Sequence, residues 1–98
     1  MTLRVVFHEL AERELNEAAA YYHEARAGLG DAFIRAVERA LEGAMANPGA
    51  GRLVSRDIRR LLVERFPYAL MYRVRDRELR ILAIASSKRR PFFWRSRR

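Results

Sequence analysis

Six cations in the second half of the chain carry most of its capacity for chemistry. Arg59, Arg60, Arg73, Lys88, Arg89 and Arg90 can each donate charge-assisted hydrogen bonds to phosphate or carboxylate oxygens, roughly twice as strong as neutral ones. Three of them run straight into Pro91-Phe92-Phe93-Trp94, and cations beside rings are what single-stranded nucleic-acid binders use for phosphate contact and stacking. Arg and Trp are also enriched where protein interfaces carry their energy. One of the three rings is expected to fold back on the open sheet face, leaving Arg95, Arg97 and Arg98 free. Proton-transfer groups are scarcer. His8 and His23 stand far apart on the acidic half, and Glu14 and Glu17 fall at helical spacing on a mostly polar face, so all four are read as structural or solvated. No phosphate loop, zinc spacing or nucleophile elbow is present, and the chain has no cysteine. Neither a cofactor nor a metal is expected.

These cations are unevenly placed. Residues 1–50 hold five arginines against eight carboxylates, whereas residues 51–98 hold fourteen arginines and one lysine against four. A basic face on a half-acidic molecule suits an acidic partner, either nucleic acid or an acidic protein segment. With 98 residues the chain is expected to form a single domain over 1–98 that buries about two thirds of its unfolded surface. The first ten residues do not resemble a secretory leader, and no run approaches the roughly 20 apolar residues of a membrane span. A cytoplasmic protein without membrane contact is expected.

Several elements must position the cations. Leu3–Phe7 is β-branched and aromatic, which predicts a strand. Ala11, Leu15, Ala18, Tyr22 and Ala25, then Phe33, Val37, Ala40, Leu41 and Ala44, recur at three and four and predict two amphipathic helices. His8 is an indifferent cap for the first helix, and Asp31, after Gly28-Leu29-Gly30, a candidate cap for the second. So short a linker folds the helices into an antiparallel hairpin. Asn47-Pro48-Gly49 stops the second helix, and Gly51–Asp57 is expected as a loop. Three strands follow at Arg59–Arg65, Tyr68–Val74 and Leu79–Ala85, with a turn at Arg75-Asp76-Arg77-Glu78. In the middle strand Tyr68, Leu70, Tyr72 and Val74 share one face, and Ala69, Met71 and Arg73 the other. The last strand is apolar at nearly every position, as for a strand covered on both sides. The expected fold is α+β: an N-terminal strand and a helical hairpin on a mainly antiparallel sheet of three C-terminal strands plus that strand.

The order of E-L-x-E-A-x-x-Y-Y, a helix ending in N-P, I-R-R, R-F-P-Y-x-L-x-Y-R-V, I-L-A-I-A and K-R-R-P-F-F-W-x-x-R resembles the RelE/ParE superfamily of type II toxin–antitoxin toxins, also described as plasmid stabilisation proteins. The resemblance implies a cognate antitoxin with an acidic, apolar C-terminal segment, and a homodimer or toxin–antitoxin hetero-oligomer. It also implies one of two targets: DNA gyrase for ParE-like members, or messenger RNA on the ribosome for RelE-like ones. RNA cleavage needs proton-transfer groups as well as cations. The nuclease set would be Glu64, Tyr72, Arg73, Lys88 and Arg89, but the tail Phe92-Phe93-Trp94 lacks the tyrosine or histidine of active relatives. The ParE-like reading is therefore favoured, with Arg59, Arg60, Tyr72, Arg73, Lys88, Arg89, Arg90, Phe93 and Trp94 as the surface for target or antitoxin. A non-toxic relative or a basic nucleic-acid-binding module is the reading from another class.

Overall fold

The computed structural model describes residues 3–98. Strand β1 (Arg4–Phe7) leads into helix α1 (Glu9–Ala25), which α2 (Leu29–Ala46) follows after three residues. A single 3-10 turn, Pro48–Ala50, then passes into β2 (Arg52–Ser55), β3 (Ile58–Leu62), β4 (Tyr68–Arg75) and β5 (Glu78–Ser86). The five strands form one sheet in the order β1-β5-β4-β3-β2. Only the β1–β5 pair is parallel; the others are antiparallel. The expected α+β architecture is present, with one strand more than anticipated.

The added strand lies in the expected loop. Its turn to β3 places Arg56 at φ +46, a left-handed position where glycine or asparagine would be the recognisable signal. Arginine gives no such signal. The β4–β5 turn does the same at Asp76 and Arg77, φ +50 and +65, in the pattern of a two-residue hairpin loop with both central residues left-handed.

Both helix starts differ from expectation. His8 does cap α1, its Nδ1 accepting the Leu10 N–H at 3.0 Å, because the chain leaves β1 in an extended conformation that aims the ring at the first turn. Helix α2 begins earlier than Asp31: Gly28 at φ +83 turns the chain, and Asp31 falls inside the first turn. There its carboxylate faces the positive end of the helix dipole instead of capping it.

Two apolar layers flank the sheet. On one side Ala11, Ala18, Phe33, Ala36, Val37 and Ala44 from the hairpin pack on Leu70, Tyr72, Leu79, Ile81 and Ile84. At one end of this layer Tyr22, Phe33, Phe66 and Tyr68 meet with ring centroids 5.0–6.2 Å apart, mostly edge to face, an arrangement favoured beyond its buried area. Burial pushes the Tyr22 and Tyr68 phenols above their ordinary pKa, with neighbouring tyrosines adding to the effect. On the other side Ile58, Ala69, Met71, Leu82 and Ala83 lie under Trp94. The tail is thus the second cover.

Strand β5 serves both layers through a bulge. Met71 pairs with Ala83 but Tyr72 with Ile81, so Leu82 is the extra residue. Leu82 and Ala83 consequently both face the tail, while Ile81 and Ile84 face the helices. An extra residue in a strand leaves local backbone groups unpaired.

Candidate functional site

The C-terminal segment is held by a carboxylate from the first helix. Strand β1 ends its pairing at Phe7 opposite Ile81, so the backbone of β5 beyond it has no strand on that side. Glu14, on α1, fills the gap: its Oε1 accepts the Ile84 N–H at 3.0 Å. The same carboxylate receives Arg97 Nη1 at 2.9 Å and Nη2 at 2.8 Å. Arg97 Nη1 also donates to the bulged Leu82 carbonyl at 3.0 Å. Both side chains are largely buried, 13% exposed for Glu14 and 9% for Arg97. Two-pronged pairing of this kind fixes geometry as well as adding energy. Glu14 is therefore not a solvated surface group, and Arg97 is not free.

With Arg97 fixed, the aromatic tail has a defined course. Trp94 is buried at 4% exposure. Phe93 is half-buried, with Arg89 and Arg97 over its ring at 3.9 and 5.1 Å from the centroid. Phe92 is exposed, takes a left-handed φ of +61, and carries Arg95 over its ring at 4.5 Å. The single inward ring expected from the sequence is Trp94, which covers Met71 and Leu82 and leaves only a small edge on the groove beside them.

Tyr72 leaves the expected contact surface. It has no exposed area. Its hydroxyl donates to the Pro48 carbonyl at 2.8 Å and accepts the Gly51 N–H at 3.0 Å. Gly51 is required there, since a Cβ on it would come within 2.8 Å of that hydroxyl oxygen. Arg59 joins the same staple by donating from Nη1 to the Gly51 carbonyl at 2.8 Å. Both residues were expected at the contact surface. Tyr72 instead ties the sheet to the end of α2, because it shares its face of β4 with the helical core, whereas Arg59 makes its bond to Gly51 from a half-buried position that still lines an open cavity.

The remaining expected residues divide between two regions. Arg60, Arg89, Arg90 and Phe93 line a groove of about 240 Å³ beside Val54, Met71, Ala85 and Phe92. This groove has both apolar walls and guanidinium rims. Arg73 lies elsewhere, in a trough of about 710 Å³ with Arg56, Arg75, Arg95 and Arg98. Burial, then the nearby Arg75 cation, lower the Arg73 pKa from its ordinary value. Lys88 is exposed in the turn after β5, where its N–H reaches Ser86 Oγ at 3.2 Å. Glu64 is exposed in the turn between β3 and β4, away from the enclosed Tyr72 phenol. The structure thus does not assemble Glu64, Tyr72, Arg73, Lys88 and Arg89 into one site.

Sequence reasoning missed Arg75, Arg95 and the Glu14–Arg97 pair. The first had a signal, since Arg75 continues the alternation of Ala69, Met71 and Arg73 along β4. The pair had none, because its members stand 83 residues apart.

Comparison with known proteins gives a consistent answer. The model of the family described as "ParE toxin of type II toxin-antitoxin system, parDE" matches residues 5–91. A solved chain of the "Chromosomal ParDE TA system from P. aeruginosa" is similar at 25% sequence identity and a TM-score of 0.65, covering 87% of this chain and 96% of that one. A comparison with curated proteins gives no match. The matched residues run from β1 through all five strands to Pro91, and the tail residues 92–98 that complete both grooves lie beyond them. This chain belongs to the ParE toxin family of type II toxin–antitoxin systems.

Proposed function

We propose that the chain acts by binding, as an inhibitor of DNA gyrase, and that a cognate antitoxin silences it. The observation that carries this reading is the Tyr72 phenol, whose donor and acceptor are both spent on backbone groups of residues 48 and 51 inside the protein. Cleavage of RNA by its own 2′-hydroxyl requires one group to take that proton and another to protonate the leaving oxygen. The exposed cations Arg60, Lys88 and Arg90 have no carboxylate within 4.0 Å among the described residues, the Glu14 carboxylate 3.7 Å from Arg89 is already held by Arg97, and the tail brings Phe92, Phe93 and Trp94 in place of a titratable ring. A binding inhibitor needs only surface.

The antitoxin segment fits the groove of Arg60, Arg89 and Arg90. Its apolar walls at Val54, Met71 and Phe92 suit aliphatic side chains, and its guanidinium rim suits carboxylates. An acidic, aliphatic segment that orders on binding satisfies both. The exposed Leu62, two residues from Arg60 and paired with Ala69 on the same face, extends the apolar area on this side. Supercoiling of relaxed plasmid by purified gyrase tests the proposal. Micromolar excess of this chain is expected to stop it, and premixing with the antitoxin to restore it; untouched supercoiling would remove gyrase as the target.

A further inference from the structure

The trough around Arg73 is built differently from the antitoxin groove. It continues into a second cavity of about 550 Å³ that shares Arg73, Arg75 and Arg98 and adds Arg4 and Arg80. A long open channel therefore crosses this side of the molecule. Eight arginines line the two parts together, against the carboxylates Asp57, Asp76 and Glu78. Asp57 and Glu78 are already engaged by Arg75, Arg4 and Arg80. Among the described residues, Arg56, Arg73, Arg95 and Arg98 have no carboxylate within 4.0 Å. Crowded cations without counter-charges favour an anion; at Arg73, burial first and then the neighbouring Arg75 and Arg80 lower the pKa.

We propose that this arginine trough holds the phosphodiester backbone of duplex DNA. Its length suits an extended polyanion better than a single phosphate. Its lining decides which polyanion: no aromatic ring takes part, and Ile58 is the sole large apolar residue. Unpaired bases need rings to stack on, and the exposed or half-exposed rings Phe92 and Phe93 line the other groove. An acidic peptide segment would leave its aliphatic side chains without pockets here. A duplex keeps its bases stacked inside and presents about one charge per 1.7 Å of axis to the outside. Nothing in the trough has to read sequence.

The clasp builds one wall. Arg95 and Arg98 flank Arg97, which Glu14 anchors, so a helix carboxylate holds two unpaired guanidiniums opposite those of β4. This gives a test whose sign differs from simple electrostatics. Removing the Glu14 charge makes the protein more basic, which would tighten binding if affinity followed net charge. If the trough is the site, Glu14→Ala releases the tail and weakens binding.

The experiment is fluorescence anisotropy of a labelled 20-base-pair duplex with the full chain between 50 and 200 mM salt. The expected plot of log affinity against log salt has a slope of about −3 to −5, near −0.9 per phosphate neutralised. Arg73→Gln and Arg95→Gln, both on exposed or half-exposed side chains, should each flatten the slope by about 1 and weaken binding several-fold. Arg35→Gln and Arg39→Gln on the exposed face of α2 make the same charge change and should leave affinity within about twofold. A single strand with the same number of phosphates should bind more weakly. Absent or salt-insensitive binding, equal losses from trough and helix variants, tighter binding by the single strand, or tighter binding after Glu14→Ala would each overturn the proposal. It does not depend on gyrase. A chain that stops supercoiling without holding the duplex overturns the trough alone, and one that holds the duplex but spares supercoiling overturns the gyrase reading alone.

Discussion

Arg97 binds Glu14 with both terminal nitrogens, at 2.9 and 2.8 Å, across 83 residues of sequence. The carboxylate also accepts the Ile84 N–H and the guanidinium also serves the Leu82 carbonyl. One ion pair thereby satisfies the two backbone groups exposed where β1 ends and β5 bulges.

Replacing Arg97 by Ala leaves the largely buried Glu14 with only the more distant Arg89 at 3.7 Å, and the Leu82 carbonyl without its donor. Breaking an enclosed pair by removing one partner costs about 3–5 kcal/mol, and the slight exposure here brings the expected loss to about 2–4 kcal/mol. Urea denaturation of Glu14→Ala, Arg97→Ala and the double variant measures it. A coupling near zero would show the clasp to be incidental.

The two layers of the sheet predict a contrast within the tail. Trp94→Ala uncovers Met71, Leu82 and Ala83 and should cost about 3–5 kcal/mol as a large-to-small core change. Phe92→Ala, at a ring 43% exposed, should stay within about 0.5 kcal/mol, the range of ordinary surface substitutions. Thermal melts of the two variants separate these outcomes.

Tyr72→Phe removes the hydroxyl that joins residues 48 and 51. Leaving those buried backbone groups unpaired should cost about 1–3 kcal/mol. Growth inhibition at a temperature where the variant is folded should persist, because the phenol has a structural task. Loss of toxicity from a fully folded Tyr72→Phe protein would restore it as a functional group.

These residues also mark how far the sequence could be read. The helices were legible because Ala11, Leu15 and Ala18, or Phe33, Val37 and Ala44, keep the helical period without interruption. Tyr72 was placed on its correct face by alternation, yet its burial followed from Pro48 and Gly51, whose positions depend on how α2 ends. Strand β2 was hidden by a turn at Arg56 with no glycine. The Leu82 bulge was hidden because residues 81–85 of β5 are all apolar, so a shift of face leaves no mark in residue type. The clasp is a tertiary contact between two polar side chains, and neither periodicity nor spacing reports such pairs. The basic surface was visible as charge, but its division into an apolar groove and an apolar-poor trough required the path of the tail.

Two carboxyls, Asp57 and Glu78, are held below their ordinary range by arginines and should shape the acid response. At Asp57 the main cause is the hydrogen bond from Arg75, 2.6 Å to its Oδ2. A folded-state pKa lower than the unfolded one gives stability that is present above the unfolded value of about 3.9. It is lost as pH falls through the folded pKa. Stability measured from pH 6 to pH 2 should therefore decline below about pH 4, and Asp57→Asn should decline less steeply while starting lower. The pair is exposed, so the difference is small. Identical pH profiles would remove Asp57 from the acid transition.

Charge reversal at Arg60 and Arg90 together should weaken the antitoxin complex at least about tenfold, equivalent to about 1.4 kcal/mol. The same reversal at Arg35 and Arg39 on α2 should not. Titration calorimetry with the antitoxin's C-terminal segment gives the comparison, and equal affinity for both double variants would move the antitoxin off the groove.

If this ParE-family toxin binds gyrase, as proposed, and does not cut RNA, DNA synthesis should fail before protein synthesis. Pulse labelling of cells in the minutes after the chain is induced alone tests this most directly, by following thymidine and methionine incorporation together. Thymidine incorporation should fall first, with DNA damage signalling, while methionine incorporation continues. An early fall in methionine incorporation with DNA synthesis intact would contradict the proposal and place the target on the ribosome.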